Sequence, residues 1–174
     1  HRRFPGGGVT MLLGNFFGGG ALESKIDYSK LEFPGPELAV AAEQGQVLVT
    51  SPSQPELAAA SFAGGCFWGV ELAYQRVPGV KYTAVGYTQG MEEYPTYNNV
   101  CAGATGHTEG LIVYYDPKEC SYESLLDAFF GFVDPTTKNG QGMDRGKQYR
   151  TGVYYHTPEQ EAIARKRFEE EQTK

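Results

Sequence analysis

The sequence predicts a compact α/β sandwich, and three observations point to that class. Runs rich in Val, Ile and Tyr alternate with helical patterns, but too few times for a doubly wound sheet. At 174 residues the chain suffices for one domain with a real core and leaves little for a second. The composition also changes at Ala59, since 11 of the 12 Tyr, the only Trp and all three Cys lie in residues 61–174. We therefore expect a folded, chemistry-bearing domain over residues 59–174. Residues 1–58 are expected to form a disordered arm: seven of the 23 Gly fall in the first 20 residues, and Pro34, Pro36, Pro52 and Pro55 follow. The arm holds one short helical candidate, Pro36 to Gln44. No internal repeat is evident.

The elements follow in order. Cys66 to Val77 places Phe67, Val70, Ala73, Tyr74 and Val77 at helical spacing, with Gly64-Gly65 before it and Pro78-Gly79 as its stop. Val80 to Tyr87, Gly110 to Tyr115 and Arg150 to His156 read as strands. Ser121 is an N-cap for a helix over Tyr122 to Val133, with Leu125, Leu126, Phe129, Phe130 and Val133 on its apolar face before Asp134-Pro135 ends it. Thr157-Pro158-Glu159-Gln160 is a capping-box pattern with Pro at the first helical position, opening a charged helix to the chain end. Two long connections, Thr88 to Thr108 and Asp134 to Tyr149, are rich in Gly, Tyr and Asn; loops of this length in a small domain usually carry function.

Composition excludes several classes. A net charge of −6, acidic in both the arm and the domain, argues against nucleic-acid binding. The most apolar run, Val9 to Phe17, is too short for a membrane span and is broken by Gly14 and Asn15. Three cysteines, Cys66, Cys101 and Cys120, are an odd count that suits thiol chemistry or a reducing compartment better than a disulfide framework. The chain opens on His1 and stops at Lys174 within a helical pattern, so the domain is expected to be truncated at its C-terminus and any targeting segment is not readable.

Cys66 carries the sharpest chemical signal. It follows Gly64-Gly65 at the start of a helix, where unpaired N–H groups and the positive end of the macrodipole favour a thiolate, the nucleophilic form. Gly65 lets backbone approach a substrate atom closely. Phe67 and Trp68, adjacent on a helix, cannot face the same way, so one packs inward and the other lines the pocket that Cys66 serves. Cys101 and Cys120 read more simply as small packed side chains.

Gly64-Gly65-Cys66-Phe67-Trp68-Gly69 resembles the signature of the peptide methionine sulfoxide reductase family, type A. The likeness continues in order through Gly86-Tyr87, Pro95-Thr96-Tyr97, Gly106-His107-Thr108-Glu109, Tyr115-Asp116-Pro117, Asp134-Pro135-Thr136 and Gln148-Tyr149-Arg150, and covers residues 61 to 165. The resemblance implies a ferredoxin-like two-layer sandwich with a mixed sheet, and reduction of methionine S-sulfoxide, free or in proteins, as repair after oxidative stress. It implies Cys66 as nucleophile and Glu109 as the acid that protonates the departing oxygen. Tyr97 and Tyr149 become donors to that oxygen, Asp144 helps to hold the site, and Phe67, Trp68 and Gly65 bind substrate. His107 is then a positioning residue for the Glu109 loop. No metal or bound cofactor is implied; an external thiol, thioredoxin by analogy, reduces the sulfenic acid left on Cys66.

Three routes to that second step stay open: a cysteine-bearing arm beyond Lys174, Cys101 as resolving thiol, or direct attack by thioredoxin. A monomer in the cytosol or a plastid is expected. The sequence departs from the family pattern at Val133, where histidine is frequent, at Met143, where asparagine is usual, and at Lys147, in place of threonine. These place the geometry around Asp144 in question and predict reduced rather than absent activity. Two other readings remain: a thiol hydrolase built on Cys66, His107 and Asp144, and a non-catalytic module that binds oxidised methionine.

Overall fold

The computed structural model describes Glu37, Leu38, Ala41, residues 46–92 and residues 94–174. A four-stranded sheet runs in the order β2-β3-β1-β6, built from β1 (Ala58–Ala63), β2 (Val80–Thr88), β3 (Thr108–Tyr115) and β6 (Gly152–Tyr154). Helix α1 (Phe67–Tyr74) joins β1 to β2, α3 (Tyr122–Phe132) follows β3, and α4 (Pro158–Gln172) follows β6. With a helix between β1 and β2 and another between β3 and β6, this is the ferredoxin-like arrangement the motifs implied.

The expected mixed sheet is corrected to an antiparallel one. β1 pairs antiparallel with both β3 and β6, and β2 pairs antiparallel with β3. β1 and β2 do run the same way, as a helical crossover requires, but β3 lies between them, so no parallel ladder forms.

β1, the partner of two strands, carries no strand signal in its sequence. Ala-Ala-Ala-Ser-Phe-Ala has weak β-propensity, and its conformation comes from pairing on both edges. Small side chains at Ala59 and Ala60, both fully buried, also suit a strand covered on both faces. All eight residues of β3 are buried. Leu111, Val113 and Tyr115 join Phe62, Val70, Tyr74, Leu125, Leu126 and Phe129 in the main core. Within it the Phe62 and Tyr74 rings stack at 4.7 Å, and the Tyr74 hydroxyl donates to the Leu125 carbonyl at 3.1 Å.

The opposite sheet face is covered by the N-terminal segment. Leu38, Ala41, Leu48 and Leu57 are buried against Ala59, Ala84, Ile112 and Tyr114. Most of the arm expected over residues 1–58 lies outside the described residues, as does most of the helical candidate Pro36 to Gln44, of which Glu37, Leu38 and Ala41 are helical. The described part packs on the sheet because Ile112 and Tyr114, on the face of β3 away from the main core, need apolar cover. Ser51 and Ser53 hold it further through the Glu37 carboxylate, at 2.7 and 2.9 Å.

Both long connections contain structure that their composition hid. The first holds α2 (Tyr97–Cys101), capped by Thr96, whose hydroxyl accepts from Asn99 N–H at 3.3 Å. The second holds a hairpin of β4 (Gly140–Gln141) and β5 (Asp144–Arg145), then a 3-10 turn over Lys147–Tyr149. Helix α1 ends at Tyr74, three residues before the expected Val77, and β6 is shorter than the expected Arg150 to His156 because Arg150 and His156 turn to other partners.

The capping box at α4 is half formed. Thr157 accepts from Gln160 N–H at 3.1 Å, as patterned, but the Gln160 side chain leaves the helix end. Its amide accepts from His156 N–H at 2.8 Å and donates to the Ala59 carbonyl at 2.8 Å, tying α4 to the centre of the sheet. Gln160→Leu keeps the helix but orphans both groups, so unfolding by urea should show a loss of about 2 kcal/mol. A loss below a few tenths would mean that neither bond contributes.

Candidate active site

Cys66 is the N-cap residue of α1, with extended backbone and a half-buried side chain. Its carbonyl accepts from Gly69 and Val70 N–H, which starts the helix beneath it. Gly65 has φ +90°, and a Cβ there would lie 2.8 Å from the Cβ of Gln141. The double glycine thus serves a left-handed turn and the close approach of the β4–β5 hairpin, which brings that hairpin beside Cys66.

The N–H of Phe67, next in the chain, donates to Glu109 Oε2 at 2.9 Å. Glu109 lies on β3 and is 2% exposed. Burial pushes its carboxyl up to about 7, against the pull of the Phe67 N–H and with a further push from the Asp144 charge. A carboxyl that is half protonated near neutrality therefore sits one residue from the helix-start cysteine.

Aromatic rings wall this pair. Phe67 is buried with Tyr87 and Val100, while Trp68 is 43% exposed and stacks on Tyr97 at 6.5 Å between centroids. Phe67 and Trp68 touch at 5.4 Å, so the inner ring backs the outer one. Cys101, four residues on from Tyr97 in α2, is the main reason that the Tyr97 proton is held more tightly than usual, with smaller pushes from Glu109 and Cys66. Tyr149 is pushed up to about 12 by burial first, then by Glu109, Cys101, Asp144 and Tyr97. Both phenols therefore remain protonated donors at neutral pH. Asp144 is exposed on β5 and acts on Glu109 and Tyr149 through its charge.

The structure thus gathers Cys66, Gly65, Phe67, Trp68, Tyr97, Cys101, Glu109, Asp144 and Tyr149 around one helix N-terminus. Cys120 stays apart from the cluster: it is buried in the main core, and burial pushes its thiol up. His107 is buried under Gly90, where a Cβ would fall 1.9 Å from Nδ1. Burial lowers its pKa; the charges acting on it are Glu92 and Arg150. The titratable group tied to the cysteine turn is Glu109, so the geometry does not favour a Cys66-His107 hydrolase.

Three residues that hold the site escaped the sequence reading. Arg150 donates to the carbonyls of Gly106, His107 and Lys147 at 3.2, 3.3 and 2.8 Å, binding the loop before Glu109 to the turn before Tyr149. Gln148 is buried and donates to the Cys101 carbonyl at 3.1 Å. Gln141 packs on Gly65 and bonds the Asp134 N–H, the Asp134 carbonyl and the Thr137 hydroxyl at 2.7 to 2.8 Å. The first two flank Tyr149 in the matched block Gln148-Tyr149-Arg150, the one signal that could have pointed to them. Of the departures, Val133 is buried against Gly64, Lys147 is exposed, and Met143 is exposed in the hairpin turn, so Asp144 keeps its strand position in spite of all three.

Among the described residues no group of three or more His, Cys, Asp or Glu side chains could hold a metal ion, and no helix is long and apolar enough to cross a membrane.

Comparison with known proteins agrees with this geometry. A family model described as peptide methionine sulfoxide reductase matches residues 58–174. The chloroplastic peptide methionine sulfoxide reductase A4 of Arabidopsis thaliana is 62% identical over 113 residues, 65% of this chain and 44% of that protein. A peptide methionine sulfoxide reductase of Brassica napus is 49% identical over 152 residues, 87% of this chain and 58% of that protein. The chain thus spans about half the length of the curated relatives it matches. The solved methionine sulfoxide reductase A of Corynebacterium diphtheriae superposes with a TM-score of 0.62 at 34% identity, covering 71% of this chain and 61% of that one. Mxr1 from Saccharomyces cerevisiae in its reduced form gives 0.60 at 36%, covering 67% and 70%.

The raised Glu109 carboxyl has a consequence for stability. Its folded pKa of about 7 exceeds the ordinary 4.5, so both states are protonated at low pH and the charge is disfavoured only in the folded state as pH rises. The protein should lose stability between pH 4.5 and pH 7, by at most on the order of 3 kcal/mol at 1.36 kcal/mol per pKa unit. Glu109→Gln keeps an acceptor for Phe67 N–H and removes the charge. Denaturation at pH 4.5 and pH 8 should therefore show the variant gaining on the parent only at the higher pH, and an equal difference at both would refute the shift.

Proposed function

The chain belongs to the peptide methionine sulfoxide reductase family, and we propose that it reduces methionine S-sulfoxide, free or within proteins, with Cys66 as nucleophile. One observation supports this reading above the others: a buried carboxyl with a pKa of about 7 bonded to the N–H next to Cys66. A sulfoxide carries a partly positive sulfur and a partly negative oxygen, so reduction needs a nucleophile for the first and an acid for the second. Cys66 and Glu109 are those two groups.

The Cys66 thiolate attacks the sulfoxide sulfur, and the sulfur–oxygen bond breaks as Glu109 gives its proton to the oxygen. The attack forms a sulfur–sulfur bond and frees the oxygen as hydroxide, which then adds to Sγ as the sulfur–sulfur bond breaks and its electron pair passes to methionine. Methionine leaves with its sulfur reduced by two electrons, and Cys66 is left as sulfenic acid, oxidised by two. Tyr97 and Tyr149 donate to the oxygen while its charge develops. Asp144 assists by raising Glu109 toward neutrality. Trp68, backed by Phe67, receives the methyl group, and the absent side chain at Gly65 lets the β4–β5 hairpin close beside the reacting atoms.

A thiol then condenses with the sulfenic acid, forming a disulfide and releasing water, and an external dithiol of the thioredoxin kind reduces that disulfide. Cys101 is a candidate for this resolving thiol, because it shares the short helix α2 with Tyr97 and acts on both Tyr97 and Tyr149. No bound cofactor enters the cycle. The protein acts as a monomer in oxidative repair, in a plastid or the cytosol; the likeness to chloroplastic relatives favours the first.

Mixing the protein with methionine S-sulfoxide in the absence of reductant, followed by mass spectrometry, tests the mechanism. One methionine per chain is expected, with one added oxygen on Cys66 or, where Cys101 resolves it, a Cys66–Cys101 disulfide two hydrogens lighter than the parent, and Cys66→Ser should yield none of these. Tight binding with no methionine formed would make the protein a non-catalytic reader of oxidised methionine. With dithiothreitol in excess, kcat should fall as pH rises through about 7, because Glu109 loses the proton it must deliver. Glu109→Gln should lower kcat on the order of a hundredfold and flatten that limb. A variant with the parental profile would remove Glu109 from the acid role.

A further inference from the structure

We propose that the outward face of α1, extended by Phe132, is a binding site for an apolar side chain of a polypeptide substrate, placed two to three residues from its oxidised methionine. This rests on the reductase reading above and concerns which protein sequences the site accepts.

The face is unusual for a small helix. Phe67, Val70 and Tyr74 point inward and are buried. Of the outward residues, Trp68 is 43% exposed and Leu72, one turn on, is 50% exposed. The i, i+4 spacing puts them on one stripe. Phe132, at the end of α3, extends the stripe sideways. It is 44% exposed, and its ring lies against Gly69, where a Cβ would stand 3.3 Å from Cζ. Scattered exposed apolar residues need no explanation, but here two share one helix stripe and the third lies against Gly69 in the same helix, the grouping expected of an interaction surface.

Its occupant follows from where the stripe begins. Trp68 belongs to the wall of the Cys66 site and stacks on Tyr97, so the apolar surface is continuous with the place where a methionine side chain must enter. A bound polypeptide has to leave that place across the protein surface. Leu72 lies six residues beyond Cys66, about 9 Å along the helix at 1.5 Å per residue. An extended peptide covers that distance in about three residues at 3.3 Å each. A side chain two or three positions from the methionine therefore lands on Leu72, with Phe132 flanking its path beside Gly69, whereas free methionine sulfoxide is too short to reach Leu72.

Steady-state kinetics with dithiothreitol as reductant tests this on three substrates: free methionine S-sulfoxide, a peptide with Leu two and three residues to either side of the oxidised methionine, and the same peptide with Ser there. The parent should prefer the Leu peptide. Leu72→Ser should raise KM for that peptide about tenfold with little change in kcat, as expected for loss of an apolar contact made equally in ground and transition states. It should leave the Ser peptide and the free amino acid unchanged. Phe132→Ser should act in the same direction, and because Leu72 is not packed against Gly69, its variant separates the effect from any local shift of the helix.

Equal changes on all three substrates, or no parental preference for Leu, would overturn the proposal. So would a defect that appears only when a protein dithiol replaces dithiothreitol, since the stripe would then receive the reductant. If the parent reduces none of the substrates, the reductase reading fails. Calorimetric binding of the Leu and Ser peptides to the parent and to Leu72→Ser would still decide the surface: preferential binding of the Leu peptide, lost in the variant, supports it, and equal binding refutes it.

Discussion

The hydrogen bond from Phe67 N–H to Glu109 joins the two halves of the site. Phe67 N–H is one of the donors that a helix start leaves without an internal partner. Using it to hold a buried carboxyl places Glu109 beside the turn that carries Cys66, and ties α1 to β3 there. The same bond opposes the burial that raises Glu109. Burial favours the neutral carboxyl and is the larger influence, while the N–H favours the ionised one. Their balance, helped by Asp144, leaves a carboxyl that can both give and recover a proton.

That balance requires the neighbouring loops to stay in place, and the backbone carbonyls before Glu109 and Tyr149 are where they are held. Arg150 spans the Gly106–His107 loop and the Lys147 turn. Thr108 donates to the Gln148 carbonyl at 3.0 Å, fully buried, so the start of β3 and the 3-10 turn move as one piece. Gln148 carries the connection to the end of α2 through the Cys101 carbonyl. Tyr97, Tyr149 and Glu109 come from three separate segments, yet each is one or a few residues from these bonds. On the other side, Gln141 seats the hairpin that bears Asp144 against Gly65.

Much of this was legible in the sequence. The double glycine before Cys66 and the caps at Ser121 and Thr157 are local signals whose physical causes act within a few residues, and the corresponding helices start where those signals put them. The adjacency of Phe67 and Trp68 required one ring inside and one outside, and Trp68 is the outer one. What stayed hidden depends on partners distant in the chain. β1 has an alanine-rich sequence and becomes a strand because β3 and β6 pair with both its edges. Gln160 looked like the second half of a capping box, but its side chain accepts from His156 N–H, one residue before the cap, and also reaches Ala59, 101 residues away in sequence.

The sequence by itself determined the type of chemistry: a cysteine at a helix start, a glutamate opening an apolar strand, and tyrosines in loops too long to be mere connections. Those properties belong to single residues and their immediate neighbours. Only the tertiary structure decided how the groups are tuned. The proton affinity of Glu109 is set by a sheet that buries it, a helix N–H that bonds it and a hairpin charge that faces it, three elements separated by tens of residues. The role of Arg150, the cover of the outer sheet face and the apolar stripe beyond Trp68 likewise arise only once the chain is folded, because each is a relation between surfaces that local sequence does not contain.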